Sequence, residues 1–289
     1  MHELDRYKIT NIPKISAIYY ALLQCGYEYY PIERENEHVD RIRRFALSQC
    51  VPTFFSNTRQ TTCEVYPYWP RAAILETATF YLLPDCAGYE NFDRFRNQIM
   101  SAGNIADLER GAELWNWLAE FPKALKAVLD SSDFADYLEW EKQWICQQNL
   151  IHEKELKQIL DCVDKCVKQY NSPVKDIQIV INPIKCVYSA DYHMNDNCFV
   201  FSSGSFRVES VIHEFLHHVI HASILLLKER ILQSPCQYPG VDSSYYLSGD
   251  DTGKYNAFEE FAVRELTKCV MGGNYPPDLI AFLTGLLSD

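Results

Sequence analysis

His213-Glu214-Phe215-Leu216-His217-His218-Val219-Ile220-His221 is the stretch on which the fold and the chemistry of this chain turn. It lies within a run, about 206–232, that reads as one long helix, with Ser203 or Ser205 as its cap and Glu209 in its first turns. At about 100° per residue, His213, Glu214, His217, His218 and His221 share one arc of that helix. Ile212, Phe215, Leu216, Val219, Ile220 and Leu227 occupy much of the rest, so the helix is largely buried. Its polar arc must then face something that satisfies it. Buried, unpaired His and Glu are costly, and a metal ion with the water it activates removes that cost. Residues i and i+4 stack on one helix face, so the imidazoles of His213 and His217 can converge on one tetrahedral Zn²⁺. Glu214 can reach the activated water as a general base without being a ligand. The competing explanation is a helix whose histidines merely bond backbone carbonyls.

A catalytic zinc needs a third protein ligand and an open fourth position. Continuing the same helix as H-E-x-x-H-x-x-G-x-x-H is closed off, because the Gly and last His positions hold Ile220 and Ser223. His221 stacks one turn beyond His217, where a third residue of one straight helix closes poorly around an ion, and it reads as a neighbour of the site or as core. The remaining source is a later helix, near 255–271. Glu259 projects beside Ala262, Val263, Leu266 and Val270 on the margin of the buried face, whereas Glu260 points roughly opposite. Glu259 is therefore the expected third ligand and Glu265 the second choice.

Upstream of the motif, Ile177-Gln178-Ile179-Val180-Ile181 reads as a β-strand, as do Val187-Tyr188 and Cys198-Phe199-Val200-Phe201, with Asn195-Asp196-Asn197 as a turn. An amphipathic helix at 152–171 precedes them, and a polar loop at 233–253 and a last helix near 277–287 follow the motif. Residues 1–150 read as helices near 14–25, 37–49, 70–83, 90–101, 105–118, 120–129 and 132–147. The fold class is α+β and predominantly helical, with a helical region at 1–150 and a second domain at 151–289. The tyrosines clustered at Tyr19, Tyr20, Tyr27, Tyr29 and Tyr30 read as helical core with hydroxyls at its rim.

The whole chain has 289 residues, 47% hydrophobic and 23% charged, which excludes a disordered chain, a coiled-coil rod and a collagen-like repeat. A formal net charge of −12 repels phosphate backbones and anionic lipid, so neither nucleic acid nor membrane is an expected partner. The 11 cysteines are odd in number and contain no Cys-x-x-Cys; Cys162 and Cys166 lie one helical turn apart as ordinary packing. No signal-like apolar run is present. The expected location is a reducing compartment, most simply the cytoplasm.

The order helix, short sheet, H-E-x-x-H helix, loop and helix bearing E-x-x-A (Glu259 to Ala262) resembles the zincin metallopeptidases in their gluzincin branch, over about residues 150–275. The resemblance implies that His213, His217 and Glu259 bind Zn²⁺ and that Glu214 is the catalytic base of peptide-bond hydrolysis, with a peptide or protein substrate. Several members carry an acid four positions after the ligand Glu to orient a zinc-bound His. That position here is Val263, which leaves Glu265 or one of Asp242, Asp250 and Asp251 for this work. An oxyanion-stabilising donor is expected among Tyr238, Tyr245, Tyr246 and Tyr255, with Tyr246 the chosen candidate. Family members hold an extended substrate along the sheet edge near the active helix, which implies residues 198–202 here. Two alternatives share the site: a catalytically inactive relative acting as an interaction module, and a metal hydrolase of a non-peptide amide.

Overall fold

Side chains alternate across a pleated strand, and that alternation sorts the centre of this molecule into two layers. The computed structural model describes residues 8–25, 52–56, 64–66, 69–101, 111–187, 190–234, 238–241 and 251–287. Strands β1 (Ile9–Thr10), β4 (Asp176–Ile181), β5 (Asp191–Asn195) and β6 (Cys198–Ser203) form a four-stranded sheet in the order β1-β4-β6-β5. β1, β4 and β6 run parallel, and β5 returns antiparallel beside β6 through a two-residue turn in which Asp196 has φ 51°. A second, two-stranded ribbon pairs β2 (Glu64–Tyr66) with β3 (Trp69–Arg71).

Val180 and Val200 project from one face of the main sheet into a core built by α1 (Pro13–Gln24), α2 (Thr53–Ser56), α3 (Ala73–Thr79), α4 (Phe92–Ser101), α5 (Gly111–Leu129) and the first half of α6 (Ser132–Ile151). Ile177, Ile179, Ile181, Phe199 and Phe201 project from the other. They pack with α7 (Glu153–Tyr170), α8 (Val208–Leu226), α9 (Lys228–Gln233), α10 (Asp251–Met271) and α11 (Leu279–Leu286). The architecture is α+β and mostly helical, as expected. Contacts cross residue 150 freely: Ile9 pairs with Ile179, and Asn149 bonds both backbone groups of Ile9.

Several elements differ from the sequence reading. The expected helix at 70–83 is a strand followed by a shorter helix, and the strand expected at Val187-Tyr188 is realised further on, as β5. The helix expected at 37–49 lies outside the described residues. The run 206–232 is two helices, α8 and α9, broken at Leu227. No serine caps α8: Arg207 holds the cap position without a side-chain bond, while Ser205 Oγ donates to the Val187 carbonyl. The helices expected at 105–118 and 120–129 are continuous in α5, with Pro122 inside it. Proline has no N–H to offer the carbonyl four residues back. Here the Tyr89 hydroxyl donates to that Leu118 carbonyl at 2.8 Å, and burial keeps the phenol protonated. β6 is paired on both sides, so residues 198–202 do not form an edge; among the described residues β5 does.

Glycine is required at one junction. A Cβ on Gly204, between β6 and α8, would lie 2.0 Å from the Lys185 carbonyl oxygen and 2.7 Å from the Cys186 backbone. Among the described residues no helix is long and apolar enough to cross a membrane.

Behind β5 lies a buried ionic cluster. Lys185 Nζ is 2.7 Å from Glu76, 2.7 Å from Asp191 and 3.0 Å from Ser202 Oγ. Glu76 also bonds His193 Nε2 at 2.7 Å and the Tyr19 hydroxyl. Burial opposes ionisation of Glu76 and Lys185, but their mutual attraction, with Asp191 beside them, lowers the carboxyl and raises the amine, so both stay charged. Asp191, His193 and Ser202 sit at alternating positions facing the first layer, which leaves Tyr192 and Met194 facing α8.

Candidate metal centre

The buried stripe of α8 (Val211, Ile212, Phe215, Leu216, Ile220, Ile224) settles against the sheet and its neighbouring helices, and its histidine arc comes to lie against α10. His213 Nε2 and His217 Nε2 are 3.2 Å apart. Glu260 Oε2 lies 3.5 Å from the first and 3.4 Å from the second. A tetrahedral zinc site with metal–ligand bonds of about 2.0–2.1 Å has ligand–ligand edges of about 3.3–3.4 Å. The three atoms therefore already stand at the spacing that one small cation imposes. Among the described residues this is the one group of three His, Cys, Asp or Glu side chains gathered closely enough to hold a metal.

The carboxylate gathered with the two imidazole nitrogens is thus that of Glu260, where Glu259 was expected. Both carboxylates come from α10, and the helix is rotated by one residue relative to the sequence reading. The margin of the apolar stripe faces the outer side of His217, and the next residue faces the ligand nitrogens. Glu260 Oε1 accepts from Arg264 Nε at 2.6 Å, which leaves Oε2 turned toward the imidazoles. Arg264 also bonds the Gly240 carbonyl, fixing the guanidinium between helix and loop. Burial works against ionised Glu260, but His213 and His217 hold its carboxyl well below the usual range.

Glu259 takes a different position. Its Oε1 is 2.9 Å from His217 Nδ1 and its Oε2 is 3.0 Å from His221 Nδ1. With Nδ1–H held in this way, the ring in its neutral form carries its lone pair on Nε2, the nitrogen that faces Glu260. Burial raises the Glu259 carboxyl, but the two imidazoles bring it down to about 2. An orienting acid was expected at Glu265 or among Asp242, Asp250 and Asp251; the carboxylate found at His217 Nδ1 is that of Glu259, and Asp242 and Asp250 lie outside the described residues. Glu265 instead pairs with Lys268 at 2.6 Å, and Val263 is fully buried in the core.

Glu214 is half-buried on the same helix; burial lowers His217, but Glu259, Glu260 and then Glu214 outweigh it and raise the metal-free imidazole to about 10. Of the tyrosine candidates, Tyr245 and Tyr246 lie outside the described residues. Tyr238 bonds Ser234 Oγ at 2.5 Å and stacks on Phe261, and Tyr255 lies under Lys228 Nζ. Tyr192 was not anticipated, because residues 191–195 did not read as a strand. It stacks on Phe199 with centroids 5.5 Å apart, and Phe199 meets Phe215, the neighbour of Glu214, edge-on at 5.2 Å. Burial first, then the charges of Glu259 and Glu214, raise its phenol far enough to keep it a proton-bearing donor.

No family model, no curated protein and no solved structure matches the chain.

Proposed function

We propose that this chain is a zinc-dependent hydrolase of peptide bonds, of the zincin kind, with His213, His217 and Glu260 as metal ligands and Glu214 as general base. The observation that carries the reading is the set of three donor atoms spaced 3.2, 3.4 and 3.5 Å apart, on the helix whose H-E-x-x-H motif carries Glu214. Two imidazoles and one carboxylate are the donor set of a catalytic zinc that keeps one position open. Zinc bound there would supply Lewis acidity toward a carbonyl and bring the pKa of a water toward neutrality.

The remaining steps belong to the chain's own side chains. Glu214 takes the proton of the attacking water and returns it to the leaving amine. Glu259 holds His217 in the tautomer that presents Nε2, and Arg264 holds Glu260. Tyr192 supplies a hydroxyl donor on the sheet side of the site, close enough to Glu259 and Glu214 to feel their charge. β5 ends the sheet on the side that packs against α8, so its outer edge, rather than 198–202, is the place where an extended peptide would add as a strand. That edge favours a peptide over a small non-peptide amide.

The test pairs zinc-loaded protein with a mixture of unstructured peptides read by mass spectrometry. Wild type is expected to cut and Glu214→Gln to lose at least a hundredfold in rate while holding its zinc. Wild type holding one zinc per chain yet cutting nothing would leave the inactive interaction module as the better reading.

A further inference from the structure

Three histidines of α8, spaced four apart, end in one that no ligand role absorbs. His221 is 46% exposed, at the mouth of the site, while Glu259 beneath it is 15% exposed and His217 17%. The Glu259 carboxylate spans the two rings, with one oxygen 2.9 Å from His217 Nδ1 and the other 3.0 Å from His221 Nδ1. Free rotation of a carboxylate about its last bond is what spoils a bond to one ring nitrogen, and a second donor on the other oxygen fixes that rotation.

We infer that His221 is a positioning residue for the metal centre, acting through Glu259 to set the orientation of His217. The inference rests on the zinc reading above. The backbone of α8 makes it possible: a residue four positions after His217 stands directly over it, so one carboxylate from the facing helix reaches both rings. The role requires only a donor at the place of Nδ1. An asparagine amide can put one there and an alanine cannot. His221 Nε2 points away from the carboxylate and takes no part.

The experiment measures zinc affinity of the full-length apoprotein by competition with a chromophoric chelator, with folding checked by circular dichroism. Removing a residue that orients a metal ligand typically weakens binding by 10–100-fold. His221→Ala is expected at the lower end, about tenfold, and His221→Asn within about threefold of wild type. In a Glu259→Ala background the further change His221→Ala is expected to do nothing, because the residue through which it acts is gone. Equal affinity of wild type and His221→Ala would overturn the inference while leaving the zinc reading intact. So would an equal loss in Ala and Asn variants, or a full tenfold loss persisting in the Glu259→Ala background. A wild-type protein that takes up no zinc would remove the reading and the inference together.

Discussion

Glu259 Oε1 sits 2.9 Å from Nδ1 of His217, on the edge of the imidazole opposite the nitrogen that faces Glu260. Two adjacent glutamates of one helix thus address the two nitrogens of one ring, and their substitutions should separate. Glu260→Gln, which removes a ligand charge, is expected to reduce stoichiometric zinc uptake below detection at micromolar metal. Glu259→Gln should still bind one zinc per chain, about 10–100-fold more weakly than wild type. Isothermal titration of the apoproteins distinguishes them, and the reverse order of severity would show that the roles are exchanged.

Glu141 gives the fold a pH signature of its own. It is fully buried and bonded to Asn11, Ser16, Tyr137 and Asn182, all neutral groups. Burial dominates, with these bonds only partly offsetting it, and pushes the carboxyl up to about 6. A carboxyl raised in the folded state holds its proton more tightly there than in the unfolded chain. Its contribution is therefore complete below about pH 4.5 and is lost as pH rises through about 6, a change of about 2 kcal/mol. Urea denaturation of wild type and Glu141→Gln at several pH values should show their difference change by that amount between pH 4 and 7. Parallel pH profiles would contradict this assignment.

Lys185 balances two buried carboxylates, and cutting it out removes the cation they share. Lys185→Met is expected to destabilise the protein by about 3–5 kcal/mol in chemical denaturation. Lys268→Ala, which breaks the exposed pair with Glu265, should leave the midpoint unchanged. A Lys185→Met midpoint equal to wild type would mean that neither carboxylate is ionised in the native state.

Gly204→Ala tests the junction that leads into the metal-bearing helix. The added methyl collides with main-chain atoms of Lys185 and Cys186, which cannot swing aside as a side chain would. A loss of about 2–3 kcal/mol is expected from thermal or urea unfolding. A neutral substitution would show that the loop at 185–186 is free to retreat.

The long helix, its histidine arc and its buried stripe were legible because a 3.6-residue period is written along a single segment. His213, Glu214 and His217 followed from spacing alone. Which of two neighbouring glutamates faces Nε2 of His213 and His217 was not legible, because a rotation of about 100° separates them and that rotation is fixed by packing of Phe258, Ala262 and Val263 against a different helix. β1 escaped notice because two residues carry no period, and β5 because Asp191, His193 and Asn195 do not read as strand formers until Lys185 and Glu76 are brought beside them. The continuity of α5 across Pro122 depends on a hydroxyl from 29 residues before the carbonyl it satisfies, which no local pattern records.

One outer strand of the main sheet is drawn from Ile9 and Thr10, and its strand neighbour among the described residues is Ile179 and Val180. Forming that pair joins residues 170 apart in sequence, so the entropy of closing a long loop is spent before the pairing rewards it. Pairings of such separation are slow to form, and Asn149, 140 residues from Ile9, offers the same backbone groups a nearer anchor.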